Sequence, residues 1–120
     1  MSELCILVRT APYSKINAAE AVRHINGAVA NNVKTSVVFV DDGVYCLKDN
    51  QEMGDSGFTS ISAAVGQIIE HKDEMLKIYM HKGSLNECGI GSERMLSGFE
   101  VVDDNGLARV VGSAKTLMIF

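Results

Sequence analysis

Lys34-Thr35-Ser36-Val37-Val38-Phe39-Val40 runs straight into Asp41-Asp42-Gly43-Val44-Tyr45, so two acids and a glycine stand where an apolar run stops. A β-branched run of this kind reads as a buried strand of a parallel sheet. In an open α/β sheet, ligands sit in the crevice beyond the carboxyl ends of the strands. The Asp-Asp-Gly corner therefore marks the edge where a functional surface is expected.

Toward the N-terminus, Leu4 to Val8 is a second apolar run, punctuated by Thr10-Ala11-Pro12-Tyr13, and reads as a first strand with its loop. Between the two strands, Asn17 and Glu20 have the spacing of a capping box, and Ala18, Ala21, Val22, Ile25, Ala28 and Val29 recur at helical intervals. Beyond the corner, Lys48 to Gly57 mixes charge with glycines and reads as an exposed, mobile loop. Ile61, Ala64, Val65, Ile68 and Ile69 mark a second amphipathic helix, which ends in the charged stretch Glu70 to Glu74 before a third strand, Met75 to Met80. Ser84 and Glu87 suit the cap of a short helix closed by Gly89, and Ser92 to Leu96 makes another turn. Phe99 to Val102 reads as a fourth strand. Asn105 caps a last helix carrying Leu107, Val110, Val111 and Ala114, and Thr116 to Phe120 is the closing strand. This alternation predicts a three-layer α/β/α architecture with a five-stranded parallel sheet.

With 120 residues and 47% apolar composition, the chain suits one domain spanning 1–120. A net charge of −4 gives no clustered Lys and Arg for phosphate, so direct nucleic-acid binding is not expected, nor is attraction to an anionic membrane. No apolar stretch approaches a bilayer span, and Met1 to Arg9 lacks the marks of a secretory signal, which makes the cytoplasm the default location. The cysteines, Cys5, Cys46 and Cys88, are odd in number and lack CxxC spacing, so reduced thiols are expected rather than disulfides or zinc. His24, His71 and His81 have no metal-ligand spacing, and the glycines form no nucleotide-binding motif. No cofactor is expected.

Chemistry narrows to a few side chains. Cys5 lies within an apolar strand and reads as a core thiol, while Cys46, beside acids that would raise a thiol pKa, reads as a packing or interface residue. Cys88 is the candidate nucleophile, set before Gly89-Ile90-Gly91-Ser92-Glu93-Arg94. Arg94 and a following helix N-terminus would favour its thiolate, whereas the end of a helix starting near Ser84 would disfavour it. His81 directly follows the third strand and suits either a proton shuttle or a solvated loop residue. Asp41 and Asp42 could orient a substrate or a cation, or simply form the turn. Tyr13, Asp41, Asp42, Tyr45 and His81 follow different strands and should converge at one sheet edge if the sheet is parallel. Met53, Phe58, Met95 and Leu96, in or beside loops, are apolar residues that one core need not consume, and they point to a homo-oligomer.

The order Thr10-Ala11-Pro12-Tyr13, Val40-Asp41-Asp42-Gly43-Val44-Tyr45, Gln51, then Lys77-Ile78-Tyr79 through Ser84-Leu85 to Gly89-Ile90, resembles the DsrE/DsrF-like family of small sulfur-relay proteins, chiefly its TusC/DsrF type. The resemblance spans essentially the whole chain. It implies assembly into dimers, trimers or hexamers and a part in passing persulfide sulfur between proteins, as in tRNA thiolation or dissimilatory sulfur metabolism. In the DsrE/TusD branch the sulfur-accepting cysteine lies at the end of the third strand, and the corresponding residue here looks like Tyr79, which cannot carry a persulfide. The implied role is that of a non-catalytic companion or docking subunit working with other sulfur-relay proteins. The alternatives are a persulfide carrier using Cys88, with His81 or Arg94 assisting, and a small-ligand binding protein unrelated to sulfur.

Overall fold

The computed structural model describes residues 3–11, 16–47, 61–70, 75–89 and 98–120. Strands β1 (Leu4–Val8), β2 (Thr35–Phe39), β3 (Leu76–His81), β4 (Glu100–Val102) and β5 (Thr116–Ile119) form one sheet in the order β4-β3-β2-β1-β5. Every pairing is parallel, as the unbroken apolar strands imply. Helices α1 (Asn17–Ala30), α2 (Ile61–Glu70), α3 (Lys82–Cys88) and α4 (Asp104–Gly112) connect them, and a 3₁₀ turn over Asp41–Leu47 carries the chain away from β2.

From β1 to β4 the strands are laid down in one direction, and the chain then returns across the sheet to place β5 beyond β1. Because parallel crossovers are right-handed, this reversal sends α4 to the opposite face from α1 and α2. The packing agrees. Ala18, Ala21 and Ile25 of α1 and Val65 and Ile68 of α2 cover Ile6, Val8, Val37, Phe39, Ile78 and Met80. On the other face, Leu107, Val110 and Val111 of α4, with Ala114 just beyond it, lie against Cys5, Leu7, Val38, Val40 and Tyr79. The three-layer α/β/α arrangement with a five-stranded parallel sheet is the one expected from the sequence.

The helix ends differ from expectation. Ile16, not Asn17, stands at the α1 N-cap and no side chain caps it. Asn17 is already helical, and the Glu20 carboxylate is held by Arg23 at 2.6 and 3.2 Å instead of closing a capping box. Asp103, not Asn105, caps α4, its Oδ1 accepting from Gly106 N–H at 2.8 Å. At α3 the cap is the His81 ring, which accepts from Ser84 N–H, while Gly89 ends the helix in the left-handed conformation, φ 67°. β3 runs one residue later at each end than the expected Met75 to Met80, which makes His81 its last residue. The loop from Lys48 to Gly57, the turn from Ser92 to Leu96, and Met53, Phe58, Met95 and Leu96 lie outside the described residues. Among the described residues no helix is long and apolar enough to cross a membrane.

Candidate functional site

The corner after β2 is pressed onto the end of β1. A Cβ on Gly43 would overlap the Val8 carbonyl oxygen, so only glycine allows this approach. Asp41 takes a left-handed conformation, φ 53°, which is uncommon for a residue with a side chain. Three groups hold it there. Its N–H donates to Ser84 Oγ at 2.8 Å, its Oδ2 accepts from Arg9 Nε at 3.1 Å, and its carbonyl faces the Cys88 thiol at 3.8 Å. The Arg9–Asp41 pair is about half exposed on both sides, so it adds less than about 1 kcal/mol.

Ser84 joins this corner to the end of β3. Its Oγ lies 2.8 Å from His81 Nδ1, and its N–H points at the same nitrogen at 3.2 Å. An N–H requires an acceptor, so Nδ1 is the unprotonated nitrogen and Nε2–H donates to Asp104 Oδ1 at 2.6 Å. Ser84, His81 and Asp104 thus form a serine-histidine-aspartate chain. It is no hydrolytic triad, because Ser84 is 3% exposed and its oxygen already receives the Asp41 amide. Its effect is to fasten together the segments that follow β2, β3 and β4.

Cys88 closes α3 beside this corner and is partly exposed. Its carbonyl accepts from Tyr45 Oη–H at 3.4 Å. Hydrogen bonding to the Cys88 side chain, then the negative charge Cys88 can acquire, then burial and Asp42, push the Tyr45 phenol above its ordinary pKa. The thiol sits in the last turn of α3. Cys5 and Cys46 are sealed in. Burial pushes the Cys5 thiol up to about 11. It pushes Cys46 up to about 12, so burial rather than neighbouring acids is the cause there.

Of the residues expected to converge at this edge, Asp41 and His81 are linked through Ser84, and Asp41 and Tyr45 through Cys88, the separate candidate nucleophile. Asp42 is exposed and reaches the group only through its charge on Tyr45. Tyr13 and Arg94 lie outside the described residues. Arg9, Ser84 and Asp104 were not singled out for this site from sequence. Ser84, three residues after His81, carried the one legible hint, as a helix-capping serine. Tyr79 is half-buried within β3 on the α4 face, where burial, then Glu100 and Cys5, raise its phenol pKa. The strand ends two residues later at His81, so neither position offers a thiol.

Because α3 and α4 leave the sheet toward opposite faces, the ends of β3 and β4 flank a switch point of the kind where α/β proteins hold ligands. An open groove of about 390 Å³ lies there, lined by Lys82, Gly83, Asn86, Asp103, Asp104 and Asn105. It has the size and polarity to admit a small polar group. Among the described residues no cluster of three or more His, Cys, Asp or Glu could hold a metal ion.

A five-stranded parallel sheet covered by helices on both faces defines an α/β protein, with the polar contacts just described at its carboxyl edge. The sequence pattern of the DsrE/DsrF-like family matches residues 2–120, and the chain belongs to that family. It is 34% identical over 120 residues, the full length of both chains, to a protein TusC homolog of Vibrio vulnificus. It is 28% identical over 114 residues to the intracellular sulfur oxidation protein DsrF of Allochromatium vinosum, covering 91% of this chain and 82% of that one. The crystal structure of the ychN protein from E. coli has the same fold, with a TM-score of 0.82 over 100% of both chains at 19% identity.

Proposed function

We propose that this chain is a non-catalytic companion subunit of an intracellular sulfur-transfer assembly, docking the proteins between which persulfide sulfur moves. Full-length similarity to a TusC homolog and the likeness to DsrF, whose name assigns it to sulfur oxidation, support the sulfur setting. The observation that carries the companion role is the end of β3. The resemblance implies a sulfur-accepting cysteine at that position in the DsrE/TusD branch, and the corresponding residue here is Tyr79. Cys5 and Cys46 offer no substitute, since burial keeps both thiols protonated far above neutral pH. The protein works in the cytoplasm as an oligomer, with other sulfur-relay subunits as partners.

The test is incubation of the full chain with a persulfide donor, followed by intact-mass measurement. The expected result is no stable gain of a sulfur atom. A second reading rests on Cys88, the one partly exposed cysteine, placed beside Tyr45. A single-sulfur adduct that disappears in Cys88→Ser would replace the companion role with that of a carrier. A structural role limited to the corner, with small-ligand binding unrelated to sulfur, would show as no association with any persulfide-bearing protein.

A further inference from the structure

β5 closes the sheet on one side, and among the described residues no strand pairs with its outer edge. Its bonds to β1 fix which groups point outward. Thr116 N–H donates to Glu3 O at 3.0 Å, Phe120 N–H to Leu7 O at 2.8 Å, and Arg9 N–H to Phe120 O at 2.7 Å. Alternation along the strand then turns the amides and carbonyls of Leu117 and Ile119 toward the open edge. Their side chains lie on the α4 face, in register with Cys5 and Leu7. They remain 42% and 57% exposed, because α4 packs over β1, β2 and β3 and stops short of the margin.

Edge strands of monomeric proteins are guarded by charge, proline or bulges. Thr116 to Phe120 contains no charged residue and no proline. Two copies of a chain with net charge −4 repel one another, and this strip carries no charged side chain to add to that repulsion. The polarity of the sheet adds a direction. Lys115 stands directly before β5, at its amino end, and Arg9 lies beside its carboxyl end, bonded to Phe120 O. A parallel pair would set Lys115 of one copy against Lys115 of the other, whereas an antiparallel pair keeps these like charges at opposite ends of the seam.

We propose that β5 pairs antiparallel with β5 of a second copy of this chain, about a twofold axis at Met118, so that one sheet runs through both copies. The outward groups choose the register. Leu117 opposite Ile119 of the second copy, repeated by symmetry, gives every outward amide and carbonyl of these residues a mate. The same register brings the Leu117 and Ile119 side chains together across the strands on the α4 face, covering the apolar surface that is otherwise wet. This assigns a surface to the self-assembly proposed above and rests on that reading.

The experiment uses the full chain, with its mass followed by light scattering over a range of concentrations and its backbone amides by hydrogen exchange. The expected result is an assembly in which the Leu117 and Ile119 amides become protected as concentration rises. Leu117→Lys or Ile119→Glu alone weakens association roughly tenfold or more. An equal mixture of the L117K and I119E chains restores it, because the register sets the two substitutions opposite each other. Ile119→Pro removes an outward N–H that the isolated fold does not use, so it keeps the fold and still weakens association. An assembly whose mass and Leu117 and Ile119 exchange are untouched by these changes would overturn the strand pairing while leaving self-assembly in place. A monomeric mass for the unmodified chain would overturn both.

Discussion

The Asp41 amide donates to the Ser84 hydroxyl at 2.8 Å across a sequence separation of 43 residues. That bond ties the turn after β2 to the helix after β3. The oxygen that receives it is also the partner of His81, so the corner after β2 and the end of β3 share one buried hydroxyl. Ser84→Ala would leave the Asp41 N–H without its acceptor and remove one partner of His81 Nδ1. A loss of about 1 to 3 kcal/mol is expected, measured by urea denaturation. Asp104→Ala should change little by the same measurement, because its carboxylate is 93% exposed and water replaces it.

Asp41 and Gly43 call for opposite outcomes when exchanged for small residues. Asp41→Gly relieves a left-handed backbone, worth about 1 to 2 kcal/mol, but loses a half-exposed ion pair and adds glycine's backbone entropy, each about 1 kcal/mol or less, so the terms should nearly cancel. Gly43→Ala puts a methyl group against the Val8 carbonyl with no side chain to move aside. It should cost about 3 kcal/mol or more, or prevent folding altogether. Thermal unfolding of the two variants side by side checks both. Equal stability of Gly43→Ala and the parent chain would mean that the corner does not rest on β1.

Stability should fall in alkali, and the sign follows from the buried thiols. Cys5 and Cys46 move from an ordinary 9.0 to about 11 and about 12 in the folded chain, so the folded state retains protons that the unfolded state has released. Their contribution is fully present below pH 9.0 and is lost as pH rises through about 11 and 12. Denaturation midpoints at pH 8 and pH 10.5 should differ, and Cys46→Ala should narrow the difference while lowering stability at both values.

The layers and strand count were legible because each depends on local pattern. Val37, Val38 and Phe39 have no polar alternation, Ile25 and Ala28 repeat at helical spacing, and the chain alternates the two kinds of segment. Helix starts were less legible. Asn17 and Asn105 each carry the right side chain near the right place, but Ile16 and Asp103 stand where the backbone turns. Shifts of one or two residues at a helix start are invisible to composition, since a short polar residue anywhere near it fits the same pattern. At the site, residues at strand ends were foreseeable from topology, and Asp41, Tyr45, His81 and Cys88 do meet. Asp104 was not, because its contact with His81 depends on the chain reversing direction after β4, a property of strand order rather than of any segment.

Cys88 should be the thiol that reagents reach first, and it should react without unusual speed. Cys5 and Cys46 are buried, while Cys88 is partly exposed. Against fast reaction stands its geometry: the sulfur is only partly exposed and faces the Asp41 carbonyl at 3.8 Å, with no cation among the described residues bonded to it. In favour stands Tyr45, whose hydroxyl can turn from the Cys88 carbonyl to the sulfur. Iodoacetamide labelling of the native chain, read by peptide mass, should place the label on Cys88 and leave Cys5 and Cys46 unmodified until the chain is denatured. Tyr45→Phe removes the only one of these groups that would assist a thiolate, so it should leave the labelling rate at neutral pH the same or slower. A rate that rises in Tyr45→Phe would mean that the phenol shields the sulfur. A native rate already fast well below pH 7, and lost in Tyr45→Phe, would mark Cys88 as an activated thiol and favour the carrier over the companion.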